Sequence, residues 1–169
     1  GQLGDGTRAS SRLTPARVTG LDPATVTAGM PDDMCARTRS GDVVCWGRLR
    51  TAPESLGLPA AAVDVHGGGL GVCARTATGE VHCWTGTGAP AAVDVSSATH
   101  VAVGSAHACA VREGGVVSCW GENADGQLGD GTTTQRTSPV QVANLTGVRR
   151  IAAGWYHNLA ARDDGSVAA

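Results

Sequence analysis

Six cysteines stand in three couples, Cys35 with Cys45, Cys73 with Cys83 and Cys109 with Cys119, and the partners of each couple are ten residues apart. Thiols at a fixed spacing have three roles open to them: a disulfide, a metal site, or burial as small apolar groups. Structural zinc sites take their ligands in half-sites about two to four residues apart, which a ten-residue step does not provide. The five histidines are the other reactive set. His107 and His157 occupy one position of a repeat, where Asp33 and Gly71 stand in other copies. A position that accepts His, Asp and Gly suits a polar contact at a strand end better than a catalytic base. His66, His82 and His100 have no repeated acidic partner, and no serine lies in a nucleophile-elbow pattern. "GDGT" lacks the lysine of a phosphate loop, and "NADGQLGDG" lacks the glutamate that ends a calcium loop. The sequence therefore predicts no catalytic residues, no metal and no cofactor.

The elements that position these residues repeat. "CARTRSGDVVCWG" from Cys35, "CARTATGEVHCWT" from Cys73, "CAVREGGVVSCWG" from Cys109 and "LAARDDGSVAA" from Leu159 share Ala second, Gly seventh and Val ninth. Their starting points are 38, 36 and 50 residues apart, the long step holding the insert that contains "GQLGDGT", which also opens the chain at residues 1 to 7. Before each copy comes a β-rich piece: "TVTAG", "AVDVHGG", "HVAVGSAH" and "RRIAAGWYH". A third piece, "TPARV", "LPAAAV", "APAAV" or "SPVQV", begins near a proline, as an outer strand permits. Three or four strands per unit is the size of a propeller blade. The units are placed at residues 1–47, 48–86, 87–125 and 126–169, within one domain.

Setting Cys35 opposite Cys45 places Ala36 opposite Val44 and Arg37 opposite Val43, leaving residues 39 to 41 as a three-residue loop. Its last residue, Gly41, then meets the left-handed conformation that glycine accepts without steric cost; Gly79, Gly115 and Gly165 recur there. In this register each cysteine couple faces itself across a hairpin, with α-carbons about 4.5 Å apart. Leu159 and Ala169 replace both partners together in the fourth unit, as a bond requires and independent packing does not. Disulfides are expected, with burial as free thiols the alternative. They place the chain in an oxidising setting: periplasm, cell surface or outside the cell.

Composition restricts the rest. Phe is absent and Tyr occurs once, so the core must come from Ala, Val, a few Leu, four Trp and the cysteines. The formal charge of −2 gives no electrostatic reason to bind nucleic acid, and no apolar run is long enough to insert in a membrane. All the basic residues are arginine, a bias that points to a G+C-rich, bacterial genome.

The order "H-x-C-A-V … G-x-V-x-C-W-G-x-N … G-Q-L-G-D-G-T … P-V-x-V … V-x-x-I-A-A-G-x-x-H", seen best from His107 to His157, resembles the regulator of chromosome condensation repeat, here in a disulfide-containing form. The resemblance implies an all-β propeller, commonly of seven blades. Four units then read as an open arc of a larger propeller, with a small closed ring as the alternative. Some relatives exchange guanine nucleotide on a small GTPase and bind chromatin, and a similar bacterial protein inhibits a β-lactamase.

Trp46, Trp84 and Trp120 each follow a second cysteine and read as wedges between blades. Trp155 breaks the pattern. It lies in "AGWYHN", a connection, and with Tyr156 and His157 it forms the candidate binding site, a local packing cluster being the alternative. The expected function is a non-catalytic, exported module that displays loops to a protein partner, with self-association through open blade edges. The other readings are a nucleotide-exchange regulator, an inhibitor of a secreted enzyme and a carbohydrate-binding accessory domain.

Overall fold

The computed structural model describes residues 1–8, 11–28, 32–48 and 50–169, with the backbone alone over Pro23–Ala28. Strands follow the chain in four antiparallel meanders. The first sheet holds β1 (Pro23–Ala28), β2 (Asp33–Thr38), β3 (Val43–Gly47) and β4 (Glu54–Ser55). The second holds β5 (Ala62–Gly68), β6 (Gly71–Thr76), β7 (Val81–Trp84) and β8 (Ala91–Val93). The third holds β9 (Ala98–Val103), β10 (His107–Arg112), β11 (Val116–Gly121) and β12 (Arg136–Gln141). The fourth has three strands, β13 (Val148–Ala153), β14 (Asn158–Arg162) and β15 (Val167–Ala168). The innermost strands β1, β5, β9 and β13 pack on one another in sequence, so the sheets stand as successive blades of a propeller. The described residues contain no helix long and apolar enough to cross a membrane.

The hairpin register is the one the cysteines dictate. Cys35 pairs with Cys45, Ala36 with Val44 and Arg37 with Val43, and the same offsets join Cys73 to Cys83 and Cys109 to Cys119. All three couples are disulfides, with α-carbons 4.1, 4.1 and 4.0 Å apart. The hairpin glycines Gly41, Gly79, Gly115 and Gly165 have φ of 87°, 81°, 74° and 84°, the left-handed region the three-residue loop demands. The outer strands differ from expectation. Glu54–Ser55 forms the outer strand of the first sheet, whereas Ala62 and Val63 of "LPAAAV" already belong to the innermost strand of the second. "TPARV", at residues 14–18, forms no strand, although Val18 packs on the Leu21–Ala36–Trp46 cluster. Gly29, the end of "TVTAG", lies outside the described residues.

The heptapeptide has the same internal wiring in both copies. Asp130 Oδ1 accepts the Thr132 amide and hydroxyl at 2.9 and 2.7 Å, and its Oδ2 accepts Arg136 Nε at 2.9 Å. In the first copy Asp5 takes the Thr7 amide and hydroxyl at 2.9 and 2.7 Å, and Arg12 Nε at 2.6 Å. The turn is a side-chain mimic of backbone pairing, suited to Asp followed by Gly and Thr. Asn123, fully buried, pins the second copy from below: its amide donates to Thr132 O and Thr134 O at 3.0 and 3.1 Å, and its Oδ1 accepts Leu128 N at 2.9 Å. The backbone carbonyl of the loop glutamine then ties the loop to the following blade. Gln2 O accepts Trp46 Nε1 at 3.1 Å, and Gln127 O accepts Asn158 Nδ2 at 2.7 Å. The second copy is thus a strap from the third blade to the fourth, and the first copy rests on the first blade.

Between blades the packing alternates disulfide and indole. Cys35 and Cys45 of the first blade share a buried cluster with Val65, Val72 and Trp84 of the second. Cys73 and Val81 of the second share one with Val101, Ala108 and Trp120 of the third. Cys109, Cys119 and Leu128 of the third meet Val148, Ile151 and Ala160 of the fourth. Trp46, Trp84 and Trp120 are only 3, 5 and 7% exposed; Trp84 and Trp120 stand between blades as wedges, whereas Trp46 packs on Leu21 and Ala36 of its own unit. A chain without Phe makes its first two interfaces from sulfur and indole, and its third from sulfur, Leu128 and Ile151, groups large enough to close the gap between sheets whose other inward residues are Ala and Val.

Two outcomes follow. Replacing Cys109 and Cys119 together by Ala should lower the unfolding free energy by about 2–3 kcal/mol, measured by urea denaturation against the oxidised parent. The second concerns acid. The Thr132 hydroxyl, then Arg136, the Thr132 amide and Asn123, hold the Asp130 carboxyl at about 2 against burial, below the ordinary 3.8. A depressed folded value means that the ionised group contributes stability above the unfolded value and loses it as pH falls from about 4 towards 2. The melting-temperature gap between the parent and Asp130→Asn should be constant at neutral pH and close across that window.

Candidate functional site

The β13–β14 connection is built around Gly154. Its amide donates to His157 O at 2.9 Å, closing a tight turn, and a side chain at 154 would collide with the His157 ring. Gly104 and His107 repeat this arrangement one blade earlier, with the Gly104 amide 2.8 Å from His107 O. The turn leaves the two residues after Gly154 outside. Trp155 is 73% and Tyr156 57% exposed, with ring centroids 6.4 Å apart and planes at 84°. Of the three residues singled out in the sequence, Trp155 and Tyr156 therefore project as an edge-to-face pair, while His157, also exposed, folds over Gly154.

Beside this pair runs a cleft of about 490 Å³ between the third and fourth blades. Leu128, Val142, Ile151 and Ala160 give it apolar walls, and Gln127, Tyr156 and Asn158 a polar lip. Two residues fix the lip. Asn158 Oδ1 lies 3.0 Å from Nε2 of the fully buried His107, and Asn158 Nδ2 donates to Gln127 O. Burial, and to a lesser degree His157, hold the His107 imidazole below its usual value in spite of Asn158. His107 thus acts as a strut between the two blades. Gln127 Oε1 accepts the Asp125 amide at 3.0 Å, but its covered Nε2 has no hydrogen-bond partner among the described residues.

A second polar cluster, absent from the expectations, lies where β5 meets β9. His66 and His100 stand with ring centroids 5.1 Å apart at a tilt of 59°. Asp64 Oδ2 is 3.0 Å from His66 Nε2, close enough for an ion pair but not aligned for a hydrogen bond, and Asp64 Oδ1 accepts the Val65 amide at 3.1 Å. Burial works to raise the Asp64 carboxyl; His66, His100 and the Val65 amide outweigh it and hold the carboxyl below its usual value. His100 is held low by burial first, then by His66, Arg150 and Arg75, against the pull of Asp64. The only local sequence signal was "DVH", an acid and a histidine on one face of a strand. Its third member comes from another unit, at the register position where the second unit has Asp64 and the fourth has Arg150: Asp64 stands beside Val65, which pairs across from Ala74, as His100 does beside Val101 and Arg150 beside Ile151.

Comparison with known proteins follows the same geometry. Residues 115–161 match the Regulator of chromosome condensation (RCC1) repeat, and residues 98–127 match a second description of that repeat. The chain is 46% identical over 63 residues to the human E3 ubiquitin-protein ligase HERC2, a span of 36% of this chain and 1% of that protein. It is 32% identical over 134 residues to the mitochondrial RCC1 domain-containing protein RUG3 of Arabidopsis thaliana, covering 78% of this chain and 26% of the relative. Among solved structures, Prp20p of Saccharomyces cerevisiae superposes with a TM-score of 0.76 at 20% identity, over 86% of this chain and 42% of that one. The chain thus spans less than half of each of these proteins. On the two repeat matches over residues 98–161 and the 32% identity to RUG3 over 78% of its length, the chain belongs to the RCC1 repeat family.

Proposed function

We propose that the protein is a non-catalytic interaction module acting in an oxidising compartment, which presents Trp155 and Tyr156 at the mouth of the 490 Å³ cleft to a protein partner. One observation carries the reading: three tryptophans are at most 7% exposed and the fourth, off the repeat pattern, is 73% exposed next to an exposed tyrosine. Tryptophan and tyrosine are the residues that anchor protein interfaces, because they supply large contact area at small entropic cost. The cleft adds apolar walls. Three disulfides support an extracellular, cell-surface or periplasmic setting.

Other readings are less well supported. Prp20p binds Gsp1p and histones, but a likeness at 20% identity transfers the fold alone. A net charge of −2 adds nothing toward chromatin. A sugar site favours parallel aromatic faces, whereas these rings stand at 84°. Inhibition of a secreted enzyme is one form the proposed interaction takes. Self-association is another: on the outer face of the fourth sheet Leu159 and Val167 are 46 and 65% exposed, while Cys109 and Val117, their counterparts in the third, are fully buried under the next blade.

The test is capture of proteins from extracellular fluid on the oxidised, immobilised chain. A specific partner should be retained by the parent and lost at least about tenfold with Trp155→Ala/Tyr156→Ala, whose fold is checked by circular dichroism. Equal retention by both proteins, or binding to a glycan array and to no protein, overturns the proposal.

A further inference from the structure

The geometry points to a binding site for one borderline divalent cation of the zinc class, held by Asp64, His66 and His100 between the second and third blades. The three side chains each bring one ligand atom, and these atoms lie within 4.8 Å of one another. Two imidazoles and one carboxylate form a donor set that suits zinc and related transition cations, and a single carboxylate is far too little oxygen for calcium or magnesium. The independent sign is in two imidazole nitrogens that make no hydrogen bond. His66 Nε2 and His100 Nδ1 are both covered from solvent, and neither has a hydrogen-bond partner among the described residues. Buried polar nitrogens are ordinarily satisfied, so two orphans converging beside a carboxylate describe a space that a ligand would fill.

Fit and charge are both reasonable. Ligand atoms at about 2.0–2.1 Å from a tetrahedral metal are roughly 3.4 Å apart, so the 3.0 Å Asp64–His66 approach needs little change and the widest pair, within 4.8 Å, must close by at most about 1.4 Å. Rotation of an imidazole on its strand achieves that. Asp64 is anchored by the Val65 amide, which fixes one of its oxygens and leaves the other for the metal. The positive groups that face the cluster are Arg75 on β6 and Arg150 on β13. Arg75 Nη1 is turned to the carbonyls of Thr76 and Ala98, each at 3.5 Å. Their repulsion disfavours cations held by charge alone and leaves those bound by imidazole nitrogen. With three protein ligands a tetrahedral ion keeps one position for water or for a donor brought by a partner.

The experiment uses the untagged, oxidised chain, stripped with a chelator and titrated with zinc chloride in a calorimeter. One zinc per chain should bind. His66→Ala, His100→Ala and Asp64→Asn should each weaken binding by at least about 10–100-fold, the loss typical even of residues outside the first coordination sphere. His157→Ala, an exposed histidine on another blade, should leave it unchanged. Asp64→Asn keeps the side-chain shape, so its folded state guards against loss of structure in the histidine variants. Cobalt(II) in place of zinc should give a visible absorption band without the thiolate-to-metal band that cysteine ligation would add. Less than a tenth of an equivalent bound, or affinity unaltered by both histidine substitutions, overturns the site.

Discussion

The packing of the first three blades depends on an indole of one blade being buried against the disulfide of the blade before it, while the fourth meets the third disulfide with Ile151 and Val148. Each sheet is thin, and its inward residues are mostly Ala and Val, too small to bridge two sheets unaided. The cysteines cross-link β2 to β3, β6 to β7 and β10 to β11, putting a compact sulfur pair in the middle of the face that looks to the next blade. The indole reaches it from the other side. The second blade offers a disulfide to its successor and a tryptophan to its predecessor, so that one pair of residues defines both of its faces. This makes the array quasi-one-dimensional, with stability shared between hairpins and their nearest-neighbour interfaces.

The strap loops extend the same logic. Where "GQLGDGT" is present, the carbonyl of its glutamine holds a side chain of the following blade, Trp46 in one case and Asn158 in the other. After the second blade no such loop exists. There the crevice is lined by Trp84, Trp120 and the short Thr85–Ala91 connection, and remains open as a second, smaller cleft of about 350 Å³. A crevice thus stays open both where the loop is absent and, larger, beside the strap loop of the third blade. Trp155 is exposed because the Gly154 turn directs the following residues away from the blades.

Much of this was legible in the sequence because it rests on local geometry. A glycine fixed the hairpin loop, the loop fixed the register, and the register brought the cysteines together. Trp155 could be found by its failure to match the repeat. The outer strands were harder. A two-residue strand such as Glu54–Ser55 carries no period, and "LPAAAV" looks like an outer strand by its proline while its last residues feed the next blade. The Asp64–His66–His100 cluster was harder still, since it is assembled across blades. Residues at one register position face a common axis whatever their type, so an aspartate, a histidine and an arginine in successive units look like simple variation when the repeats are set side by side.

The central claim is tested most directly by a double-mutant cycle across one interface, with Trp120→Leu and Cys73→Ala/Cys83→Ala measured singly and together by urea denaturation. Effects of the cross-link on the unfolded chain cancel in the cycle, leaving the coupling between indole and disulfide. The account predicts a coupling of about 0.5–3 kcal/mol for this adjacent pair, and additivity within about 0.5 kcal/mol when Trp46 is combined with Cys109→Ala/Cys119→Ala two blades away. Additivity in both cycles would contradict it.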